Sequence, residues 1–106
     1  MTLPRPLRRD LSLLRGAWPT VHPVRVRLAD LHDRWGDCSL MGSRGGPKYF
    51  LIRLARGPSL THPALMVWIM AHEYSHALAW SDRDPDPHGP SFGAAYARCA
   101  RALSLE

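Results

Sequence analysis

Residues 63–80, "PALMVWIMAHEYSHALAW", contain no glycine or proline after Pro63. A proline is tolerated in the first turn of a helix, where its missing N–H has no intrahelical partner. Leu65, Met66, Val67, Trp68, Ile69 and Met70 make the segment apolar almost all the way round, the pattern of a helix at the centre of its fold. Inside that helix stand His72, Glu73 and His76. Buried without partners, such groups would each cost roughly a few kcal/mol of desolvation. The helix therefore calls for something that satisfies them.

His72 and His76 are four residues apart, so their side chains project from one face at adjacent turns. At that spacing two imidazoles can reach one ion at the ~2.0–2.1 Å that zinc requires. Glu73 points to the side of that face, close enough to touch a zinc-bound water without being a ligand. "HEYSH" is thus an HExxH pattern. In that chemistry zinc lowers the pKa of its water towards ~7, and the glutamate takes the proton as the hydroxide attacks a carbonyl.

Two histidines leave the site short of a ligand. The stretch that follows, "SDRDPDPHGPSF", offers Asp82, Asp84, Asp86 and His88. Glu106 is the single glutamate after Glu73 and has no helical context for ligation. Asp82 fits the last position of an HExxHxxGxxD spacing, but Ala79 holds the glycine position, where that geometry turns through a conformation favouring glycine. Asp84 and Asp86 each precede a proline and match no ligand pattern. His88 is followed by Gly89 and Pro90, which lead into the last helix, and its loop is long enough to fold back over the histidine pair. A third imidazole gives a three-histidine site with an open fourth position, the arrangement of catalytic rather than structural zinc. The expected ligands are His72, His76 and His88, with Asp82 the alternative for the third.

The rest of the chain supplies a scaffold. Pro6 opens a helix over about residues 6–15, with Leu7, Leu11 and Leu14 on one face and Gly16 and Pro19 to stop it. "HPVRVRLAD" alternates Val24, Val26 and Leu28 against Arg25 and Arg27, a half-buried strand. Residues 37–41 and 48–55 flank a turn cluster at 42–47, predicting a hairpin in a three-stranded, mainly antiparallel sheet. Pro58 closes the sheet region. The last helix spans about residues 90–103, with Phe92, Tyr96, Cys99 and Leu103 as a core stripe. The order α-β-β-β-α-α makes an α+β fold, one domain over residues 1–106 with its core at about 20–103.

Composition bounds the function. A chain of 106 residues, 45% apolar and 22% charged, supports one modest core. Its longest apolar run, 64–71, is far short of the ~20 residues that span a bilayer. Arg8, Arg9, Asp10 and Arg15 interrupt any signal-peptide core, so the expected location is cytoplasmic, away from membranes. Cys38 and Cys99 form no CxxC pair and read as buried, reduced thiols. His22, His32 and His62 lie by prolines or loops and read as surface histidines. The net charge of +5, from thirteen arginines and one lysine, would favour an acidic partner such as nucleic acid. The arginines are spread along the chain, however, and the scarcity of lysine fits a coding bias equally well.

Three motifs together resemble the SprT-like zinc metallopeptidases over about residues 34–103: "HEYSHALAW", "HGPSF" and, more weakly, "RWGDCS". The resemblance implies zinc on His72, His76 and His88, Glu73 as catalytic acid/base, and a zincin-like core whose sheet edge lies beside the active-site helix. It implies protein or peptide substrates bound in extended form. Asp37 stands where a smaller residue is common, no cysteine pair for a zinc ribbon follows Cys99, and the loop from His76 to His88 is short. The function expected is a zinc-dependent metalloendopeptidase. The competing expectation is a basic, nucleic-acid-associated or structural zinc-binding module on the same fold.

Overall fold

Leucine spacing and two prolines set the first element. The computed structural model describes residues 2–42, 44–80 and 88–105. Helix α1 (Arg5–Ala17) follows Pro4, carries Pro6 in its first turn, and buries Leu7, Leu11 and Leu14 while Arg8, Arg9 and Arg15 face outwards. Asp10 is also buried, with Arg9 as its ion-pair partner at 3.1 Å. The chain continues through β1 (Val24–Ala29), β2 (Gly36–Met41), β3 (Tyr49–Ala55), α2 (Arg56–Thr61), α3 (Pro63–Leu78) and α4 (Pro90–Ala102).

Strands β2 and β3 form the expected hairpin, antiparallel from Met41 opposite Tyr49 to Gly36 opposite Leu54. Its turn holds Gly45 at φ +77°, where a side chain would be strained. The sheet is mixed rather than mainly antiparallel. Its order is β1-β3-β2, with β1 parallel to β3 from Val24 opposite Phe50 to Ala29 opposite Ala55. The most apolar strand, β3, takes the middle. A parallel pair needs a crossover of a dozen residues or so, and residues 30–48, including β2, supply it.

One sheet face is the core face. Val24, Leu28, Phe50, Ile52 and Leu54 are buried there against Leu7, Leu11 and Leu14 of α1 and Met66, Val67, Met70, Ala71, Tyr74 and Ala77 of α3. The other face carries Arg25, Arg27, Tyr49, Leu51 and Arg53, with the Arg25 guanidinium 4.2 Å from the centre of the Tyr49 ring. Helix α2 was not foreseen, because Pro58 read only as the close of the sheet region. Pro58 sits in its first turn, where proline is allowed.

Helix α3 is central but not buried all round. It packs on α1, α4, β2 and β3, and one arc stays open along Leu65, Trp68, His72 and His76. Tyr74 points the opposite way: it is fully buried and its hydroxyl donates to the Trp18 carbonyl at 2.7 Å, tying α3 to the end of α1. On the other flank, Gly36 lets β2 close on α3. A Cβ there would lie 3.0 Å from both the Arg53 carbonyl oxygen and Ile69 Cγ2. Gly36→Ala should therefore cost about 1–3 kcal/mol of stability by overpacking this contact, measurable by urea denaturation.

Candidate metal centre

The helical spacing of four residues places the His72 and His76 rings on adjacent turns, with their Nε2 atoms 3.3 Å apart. His88, just before α4, brings a third ring to the same point, its centroid 5.4 Å from that of His72 and 4.9 Å from that of His76. One ligand atom from each of the three lies within 4.8 Å of the others. The three histidines named from spacing are thus brought together. Asp82, Asp84 and Asp86 lie outside the described residues.

The donor set fits a zinc ion. Two nitrogens bound tetrahedrally at ~2.05 Å stand about 3.3 Å apart, the separation of the His72 and His76 Nε2 atoms. Metal ligation also needs neutral imidazoles with a free lone pair. Burial pushes the pKa of His72 below its ordinary value, with the charge of His88 adding to the effect. His76 is pushed down to about 4, by burial first and then by His72 and His88.

The rings are held by α4. Phe92 packs on all three imidazoles, at centroid distances of 4.9, 4.5 and 5.1 Å from His72, His76 and His88. Tyr96 stacks on Phe92 at 6.0 Å and lies 6.2 Å from His72. The stripe expected to be wholly core is therefore divided. Cys99 is buried in the core, whereas Tyr96 and Phe92, one and two turns earlier, face the histidines and are only half-buried. Helical spacing reveals a stripe but not where along it the core ends.

Ala79 has φ −96°, outside the left-handed region, so the chain leaves α3 without the glycine-type turn that the Asp82 alternative would use. The helix stops at Leu78 rather than continuing to Trp80. Gly89, buried before Pro90, has φ −73° and needs no glycine for its backbone conformation.

Glu73 lies one residue round the helix from His72 and is buried, 8% exposed. Its pKa is pushed up to about 7, chiefly by burial and next by the negative charge of Asp37, with Arg34 pulling the other way. Asp37 on β2 is gripped through both carboxylate oxygens by Arg53 and lies 3.7 Å from Arg34, which also pairs with Asp33 at 2.9 Å. These charges around Glu73 were not anticipated as part of the site, although "RWGDCS" contains two of them. Cys38, on the same strand, has its thiol pushed up to about 12 by burial and by the charges of Glu73 and Asp37.

The remaining candidates fall away from the site. Tyr74 faces α1. His32 and His62 are exposed as expected, while His22 is half-buried with its ring 5.7 Å from that of Phe50. No described helix is long and apolar enough to cross a membrane. Comparison with protein-family models, with curated proteins and with solved structures finds no match for the chain.

A carboxyl whose pKa is higher folded than unfolded binds its proton more tightly in the native state, so ionising it costs stability as pH rises from about 4.5 to about 7. In metal-free protein, Glu73→Gln should therefore match the wild type near pH 4.5 and exceed its stability by about 2 kcal/mol above pH 7. Denaturant titrations at the two pH values check this.

Proposed function

We propose that this chain is a zinc-dependent metallopeptidase of the SprT-like kind its motifs resemble, with a zincin-like active site on α3. The observation that carries the reading is the convergence of His72, His76 and His88 at one point beside a buried carboxyl with a raised pKa. His72, His76 and His88 would hold the ion. When bound, zinc acts as a Lewis acid that acidifies water and polarises a carbonyl.

The protein's own residues supply the rest. Glu73, buried one residue round the helix from His72, would take a proton from the attacking water and return it to the leaving amine. Burial keeps its proton affinity high, and Arg34 limits the rise caused by Asp37. Phe92 holds the imidazoles against one another. β2 is an edge strand beside α3, so an extended peptide can add to it through main-chain hydrogen bonds. The substrate is accordingly a protein or peptide, and the free thiols Cys38 and Cys99 suit the cytoplasm.

Zinc content and peptide hydrolysis measured on the same preparations test the reading. Wild type should bind one zinc. His88→Ala should lose it, and Asp82→Ala should keep it. Glu73→Gln should retain zinc while hydrolysis falls by about 10²–10⁴-fold. Unchanged hydrolysis in zinc-loaded Glu73→Gln protein would remove the glutamate from the mechanism.

A second reading, a nucleic-acid-associated module, draws on one surface. Arg8, Arg15 and Arg25 line a groove of about 460 Å³ between α1 and β1, together with Leu3, Leu11, Ser12 and Val26. On this reading DNA binding is steeply salt-dependent and indifferent to chelator. Arg8→Gln combined with Arg25→Gln should lower the slope of log affinity against log salt by about 2.

A further inference from the structure

The open arc of α3 does not stop at the histidines. At 100° per residue, Leu65, Trp68, Ile69, His72 and His76 fall on one side of the helix, while Met66, Val67, Met70, Ala71, Glu73, Tyr74, Ser75 and Ala77 are buried on the others. Leu65 is 50% exposed and Trp68 40% exposed. Exposed apolar side chains are ordinary when scattered, but a contiguous row beside a site of chemistry marks a contact surface. Trp35, 51% exposed just before β2, extends the row. It lines a cavity of about 580 Å³ with Leu65, Gly57, Pro58, Thr61 and His62.

The row is flanked by the same elements as the metal centre. Gly36 of β2 meets Ile69 on one side, and Tyr96 of α4 lies against His72 on the other. The arc is therefore a continuous floor, polar at the histidines and apolar towards the start of α3. Trp68 lies four residues before His72 and Leu65 seven before it, about 6 and 10 Å along the axis at 1.5 Å per residue. An extended peptide advances ~3.3 Å per residue. A peptide whose scissile bond lies over the histidines thus places its second and third residues away from that bond over Trp68 and Leu65.

We propose that Trp68 and Leu65, with Trp35, form an apolar subsite that selects substrates bearing a bulky apolar side chain two or three residues from the scissile bond. This rests on the peptidase reading and adds to it a substrate class and two specificity-determining residues. The occupant is an extended peptide because the row is continuous with the catalytic floor and lies beside the open edge of β2. Burying a large apolar side chain on this half-open surface should give about tenfold discrimination over a small polar one.

The test is digestion of a degenerate peptide library by the zinc-loaded protein, with the products sequenced by mass spectrometry. Leu, Phe, Met or Trp should be enriched two or three residues from the cut, on one side only. Peptides with Phe rather than Ser at that position should show about a tenfold higher kcat/KM, and Trp68→Ser should bring the ratio close to one while zinc content and melting temperature hold. A binding readout accompanies it: fluorescence anisotropy of the same two peptides on zinc-loaded Glu73→Gln protein should show a similar ratio, lost when Trp68→Ser is added. Hydrolysis with no apolar preference, or with a preference that Trp68→Ser leaves intact, overturns the subsite alone. Absence of any hydrolysis by the wild type overturns the peptidase reading and the subsite with it. Concentration-dependent dimerisation in sedimentation that Trp68→Ser abolishes would make a second copy of the chain the occupant, and would also overturn the subsite.

Discussion

Everything in this fold depends on how α3 is buried. The helix packs against α1, α4, β2 and β3, and most of its circumference is removed from water. A buried polar group costs free energy unless it finds a partner. Tyr74 has the Trp18 carbonyl, and the Ser75 hydroxyl donates back to the Ala71 carbonyl at 2.6 Å. His72, His76 and Glu73 are the polar groups left at the margin of the open arc. With His88 the two histidines form a cluster whose ligand atoms lie within 4.8 Å of one another.

The charges on the neighbouring strand tune that place. Asp37 raises the proton affinity of Glu73, and Arg34 opposes it from the mouth of the site. Asp37 is itself held by Arg53, directly across the β2–β3 ladder. A smaller residue at position 37 would leave Arg53 unpaired and take one negative charge away from Glu73. Asp37 therefore joins the ladder of the sheet to the acidity of Glu73.

Much of this was legible in the sequence, for local reasons. Leu7, Leu11 and Leu14 marked α1, the Val24–Val26–Leu28 alternation marked β1, and the glycine cluster marked the hairpin. The histidines could be grouped because four-residue spacing fixes two of them and the glycine and proline after His88 fix a helix start. What was hidden depends on contacts between elements. Strand order is one case: alternation says which face of β1 is buried but not that it pairs with β3 in parallel. The environment of Phe92 and Tyr96 is another. A stripe at helical spacing looks the same whether it meets leucines or imidazoles, and only the placement of α4 over α3 separates Cys99 in the core from Phe92 at the site. Leu65 and Trp68 show the converse, apolar residues that hydropathy assigns to the interior and packing leaves at the surface.

That division of α4 explains how so short a chain can hold three imidazoles together. A small domain buries a modest core and cannot devote a separate layer of residues to holding functional groups still. Here the lower part of α4 is anchored by Cys99 in the core, and the upper part extends that rigidity to the rings through Tyr96 and Phe92. The same economy holds on α3, where Tyr74 and Ser75 fix the helix from its buried side while His72 and His76 stand at the margin of the open arc. Positioning of the histidines is therefore a direct product of core packing, and the apolar row that continues from them is the part of the helix surface that this packing leaves uncovered.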